Sequence, residues 1–123
     1  MKSFLKSLFV ILLLPIAVQA QPMKDWTTTD KQLFVASEIA LFIDWRQTLE
    51  AQHYPDRYKE NNKILGEHPS ASRVNKYFAG AMLGNYFVAD YLTDYRTGYL
   101  ASVIAVELVM IGNNRSVGLR IGF

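Results

Sequence analysis

Cysteine is missing from all 123 residues. Its absence removes disulfides, thiol nucleophiles, a lipid-modified cysteine, and Cys-ligated zinc or iron–sulfur sites. An excess of one charge is missing too: 13 Lys and Arg stand against 11 Asp and Glu, a net charge of +2. That balance offers no concentrated basic face, so no nucleic-acid partner is expected. There is no Walker loop and no GxGxxG, GxSxG, HExxH or paired EF-hand pattern, so no nucleotide, hydrolase or standard metal chemistry is indicated and no cofactor is expected. Internal repeats and low-complexity tracts are also lacking. What the chain has in quantity is apolar residues, at 50%, too many for a disordered protein. Its length suits one small domain.

The first segment has the layout of an export signal. Lys2 and Lys6 make a positive start, residues 8–18 are apolar apart from Pro15, and Val18-Gln19-Ala20 ends in a small residue suited to a leader peptidase. Cleavage there leaves a chain starting at Gln21. The alternative is an uncleaved anchor, although the run is short for a full span of about 20 residues. The expected organisation is therefore 1–20 as signal peptide or N-terminal anchor and 21–123 as a single helical domain.

Three helices are expected in that domain. Thr29-Asp30-Lys31-Gln32 fits a capping box and precedes an apolar run at 33–45, with the helix continuing to about 51. Residues 52–76 are polar and hold Pro55, Gly66 and Pro69, which predicts a loop. Ser70 is a candidate cap for a second helix over 72–92. Thr93-Asp94 marks a turn, and a third helix runs from about 95 to 111, ending at Gly112-Asn113. The last two helices form a hairpin. The tail alternates Val117, Leu119, Ile121 and Phe123, but one such segment does not make a self-contained barrel.

The second and third helices are apolar nearly all round. Residues 77–92 carry one charge, Asp90, and residues 99–112 carry one, Glu107. Gly80 and Gly84 form a GxxxG pattern, which lets helices approach closely in lipid. Charge placement points the same way. Loop 52–76 holds Arg57, Lys59, Lys63, Arg73 and Lys76, against Lys24, Lys31 and Arg96 in the segments expected outside. Trp26, Trp45, Tyr77, Tyr91, Tyr95 and Tyr99 lie near the expected boundaries. These features predict a small all-α membrane bundle in the bacterial inner membrane, with a cytoplasmic basic loop and lipid as its surroundings. A soluble periplasmic bundle is the alternative placement. Glu38, Asn85, Asp90 and Glu107 would then lie at membrane depth, where polar groups hold helices together or serve an ion or proton path.

One stretch resembles a known group. Asp44-Trp-Arg-Gln47-Thr48, Glu60-Asn-Asn62-Lys-Ile-Leu65-Gly66-Glu-His68-Pro69-Ser70 and Val74-Asn-Lys-Tyr77-Phe78 are similar to small uncharacterised membrane proteins of proteobacteria and their phages. The pattern of that group has Pro after the residue matching Asn62, where this chain has Lys63. The resemblance implies a helical membrane protein without an established activity, and a phage or prophage role at the envelope. It also marks Asp44, Gln47, Thr48, Glu60, Asn62 and His68 as one constellation. Asp44, Gln47 and Thr48 fall on one helical face at i, i+3 and i+4. The loop is expected to fold back onto that face, either as a hydrogen-bonded latch or as a ligand site.

The function expected from all this is non-enzymatic, through contact with another membrane protein or with further copies of the chain. One alternative is a metal-dependent membrane enzyme using Asp44, Glu60 and His68. Another is a soluble periplasmic binding module.

Overall fold

The computed structural model describes residues 23–54, 64–66, 68–116 and 118. Leader residues 1–20, Glu60, Asn62 and most of the C-terminal tail lie outside the described residues, and so do the expectations placed on them. Among the described residues there are three helices, α1 (Thr28–Gln52), α2 (Ala71–Tyr91) and α3 (Arg96–Ser116), and no strand.

Helix α1 runs for 25 residues with no Gly or Pro to interrupt it. Its capping box lies two residues before the expected one. The Thr27 hydroxyl accepts from the Asp30 N–H at 3.0 Å, and the Thr27 N–H donates to Asp30 Oδ2 at 3.2 Å. Asp30 wins over Gln32 because its carboxylate also suits the positive end of the helix. Pro55 follows shortly after the helix end, and the residue before a proline is disfavoured in helical geometry. Ser70 caps α2 as expected, accepting from the Arg73 N–H at 3.2 Å. Helix α3 outlasts the expected stop at Gly112-Asn113 and reaches Ser116. The side chain of Asn114 is bonded to α1, which keeps the last turn wound.

Helix α1 is the centre of the bundle. It packs most extensively against α3, next against α2, while α2 and α3 meet least. The expected hairpin is thus continuous in the chain, but each arm leans on α1 rather than on the other. Bonds from Asn85 to Ser37 and from Trp45 to Asn75 fix α2 antiparallel to α1. Bonds from Thr97 to Asp30 and from Asn114 to Asp44 fix α3 parallel to it.

Two apolar clusters sit at opposite ends of α1. Trp26, Tyr86, Ala89 and Leu100 form one, with Phe34 set edge-on to Trp26 at 5.4 Å. Trp45, Leu65, Val74 and Phe78 form the other, where Trp45 stacks on Phe78 at 6.0 Å. Leu65 is 2% exposed. The short described piece of the loop therefore does fold back onto the end of α1, by apolar contact. Arg73 clamps it, donating from Nη2 to the Ile64 carbonyl at 2.8 Å.

Each helix leaves large apolar side chains exposed on the outside of the bundle. Val35, Ile39 and Phe42 on α1, Phe87, Val88 and Tyr91 on α2, and Val106, Leu108 and Val109 on α3 are all exposed. Gly80 and Gly84 belong to this outer surface of α2: a Cβ on either would meet nothing within 4 Å. Neither makes a close approach to α1 or α3. No helix among the described residues is long and apolar enough to cross a membrane. The helix number matches the sequence expectation, while the membrane crossings expected for those helices do not follow from them.

Candidate functional site

Polar side chains occupy the helix interfaces. Among the described residues Asp30, Ser37, Asp44, Gln47, Thr48, Asn85 and Arg96 are buried. On α1 they follow a seven-residue period, Asp30, Ser37 and Asp44, with Gln47 and Thr48 three and four residues further on. That spacing keeps one seam of a helix turned toward its neighbours. On α3 the same period joins Leu100, Glu107 and Asn114.

At the first end of the seam, Arg96 is 2% exposed. Its Nε donates to the Ala89 carbonyl at 2.7 Å and its Nη2 to the Asp90 carbonyl at 3.1 Å. These are carbonyls of the last turn of α2, which lack helical partners and carry the negative end of the helix dipole. Nη1 donates to the Asp25 carbonyl at 3.2 Å and lies 3.7 Å from Asp30 Oδ2. The guanidinium also stands 4.8 Å from the Trp26 ring centroid. Thr97 donates to Asp30 Oδ1 at 2.7 Å. That bond, opposed by burial and helped by Thr27 and the Arg96 charge, holds the Asp30 carboxyl below its ordinary value. Trp26 Nε1 donates to Asp90 at 3.0 Å.

In the middle, Asn85 Nδ2 donates to Ser37 Oγ at 2.9 Å and to Glu38 Oε1 at 3.0 Å. Burial pushes the Glu38 carboxyl up to about 7, and the Asn85 bond pulls the other way. Asn85 Oδ1 is buried without a partner.

The far end holds Asp44, Gln47, Thr48, Glu107 and Asn114. Asn114 Nδ2 donates to Asp44 Oδ1 at 2.9 Å and to Gln47 Oε1 at 3.1 Å, and Thr48 Oγ1 donates to the same Asp44 oxygen at 3.4 Å. The Glu107 and Asp44 carboxyls hydrogen-bond to each other. Burial raises Asp44, against the Glu107, Asn114 and Thr48 bonds. Burial first, then the bond and charge of Asp44, lifts Glu107 to about 8.

The structure thus unites Asp44, Gln47 and Thr48 from the expected constellation. It completes them from α3, through Glu107 and Asn114, rather than from the loop. His68 is exposed and has no part in the network, and among the described residues no group of three His, Cys, Asp or Glu converges as a metal site. Glu38, Asn85, Asp90 and Glu107 each make a bond between elements. Arg96, Thr97, Ser37, Asn75 and Asn114 were not singled out in the sequence. The seven-residue polar spacing on α1 and α3 was the available signal for the seam.

Fold and seam define a class: a small helical domain whose three described helices are joined by buried polar side chains between two apolar clusters and leave large apolar residues exposed. Comparison with known families, with characterised proteins and with solved structures gives no match.

Proposed function

We propose that this chain is a small non-enzymatic protein of the bacterial envelope. Its N-terminal segment delivers it to the inner membrane, and its helical domain acts by contact with a membrane-protein partner. The observation that supports this reading is the set of large apolar side chains left exposed on the bundle. Polar groups are spent on joining α1 to α2 and α3, while Val35, Ile39, Val106, Leu108 and Val109, each more than half exposed, face outward. Apolar patches of this kind mark surfaces that something apolar covers. The leader layout of residues 1–20 and the likeness to small phage and proteobacterial membrane proteins agree with it.

A photo-crosslinking residue at Ile39 or Val109 tests the proposal in intact membranes. The expected outcome is a discrete adduct with one membrane protein, lost when Val106 and Val109 are both changed to Lys. Recovery of the protein in the aqueous fraction after carbonate extraction, with no adduct, overturns it.

A further inference from the structure

Only Arg96 and Leu100 of α3 are buried, and both lie near its start. Beyond them Val103, Ile104, Met110 and Ile111 are half-buried, and the bonds of Glu107 and Asn114 join the helix to α1. The second half of α3 therefore depends on the far polar cluster.

Among the described residues that cluster contains two carboxyls and no cation that acts on them. On α1, Asp44 has Thr48, Asn114 and Glu107 as partners. Glu38 and Glu50 are the neighbouring carboxyls on α1, the first engaged with Asn85, and neither Glu50 nor half-buried Arg46 acts on Asp44 or Glu107. On α3, Arg115 is exposed. On α2, Arg73 and Lys76 are exposed and act on neither carboxyl. The loop piece 64–66 has no titratable side chain.

Two touching carboxylates repel, so the pair closes only when it keeps a proton. Its position follows from the donors. Asn114 and Thr48 both point at Asp44, which is therefore the accepting carboxylate. Among the described residues no side chain donates to Glu107, whose Oε2 is buried without a partner. Glu107 holds the proton and donates it to Asp44.

We propose that Asp44 and Glu107 form a proton-operated latch: the shared proton closes the second half of α3 onto α1, and its loss to solvent lets that half detach. This goes beyond the reading above and does not depend on what covers the outer surface.

The sign follows from linkage. Glu107 is lifted from an ordinary 4.5 to about 8 in the closed state, so the closed state keeps a proton that the open state releases. Between those values the opening equilibrium grows by roughly tenfold per pH unit, and above them it levels.

Amide hydrogen exchange on the full chain measures this, after correction for intrinsic base catalysis. Protection of residues 101–116 is expected to fall about tenfold per unit from pH 5 to pH 8. Glu107→Gln, which donates the same bond without a titrating proton, is expected to abolish the slope. If that variant does not fold, Asp44→Asn serves, since it removes the charge of the partner carboxylate and is expected to make the slope shallower. Equal protection of 101–116 at pH 5 and pH 8 in the unaltered chain overturns the latch. So does an unchanged slope in a folded variant.

Discussion

The two ends of the α1–α3 seam do the same job with opposite electrostatics. At the first, Asp30 meets Arg96 and a threonine hydroxyl, and its carboxyl is held below the usual range. At the far end, Asp44 meets another carboxyl, the Asn114 amide and the Thr48 hydroxyl, and both acids are raised. The first end is strongest when its acid is ionised. The far end is strongest when one acid is not. The comparison teaches that burial alone does not set the pH response of a polar interface: the partner does.

Removing the cation breaks the comparison most severely. Arg96→Ala leaves Asp30 buried and the last carbonyls of α2 uncapped, and is expected to cost about 3–5 kcal/mol in chemical denaturation. Asn114→Ala at the far end removes one bond to the Asp44 carboxylate and one to the neutral Gln47 amide, with no buried cation lost, and is expected to cost about 1–3 kcal/mol. Equal losses would show that the two ends are not energetically distinct.

Acid sharpens the contrast with a smaller effect. The folded-state value of Asp30 lies below its ordinary 3.8, so the stability it contributes is present above that value and fades as pH falls through the folded one. Lowering pH from 5 to 3 is expected to reduce hydrogen-exchange protection near the start of α3 while leaving the Asn114 turn protected. Fraying in the reverse order would contradict the assignment.

The smallest effect belongs to the outer face. Gly84→Ala sits in a helix with free space around it and is expected to stabilise by about 0.5–1 kcal/mol, read as a shifted denaturation midpoint. A loss of stability would mean that this part of α2 is closely covered.

Much of the architecture was legible locally. The three helices came from apolar runs punctuated by Pro55, Pro69-Ser70 and Thr93-Asp94. The i, i+3, i+4 grouping of Asp44, Gln47 and Thr48 was legible for the same reason: helical spacing is a local property. Their partners were not, because Asn114 lies 70 residues from Asp44, and it sat beside a Gly-Asn pair that reads as a stop. Arg96 was harder still. Within Thr93-Asp94-Tyr95-Arg96 it looks like a turn charge, and only the approach of α2's last carbonyls makes it an interior cap.

Each end of the seam carries its own optical reporter. Trp26 lies beneath the Arg96 guanidinium, and Trp45 stacks on Phe78 while donating to Asn75. The described chain has no third indole, so emission from a single-tryptophan variant belongs to one end alone. Fluorescence can therefore follow the two halves of this small protein separately, without an attached dye.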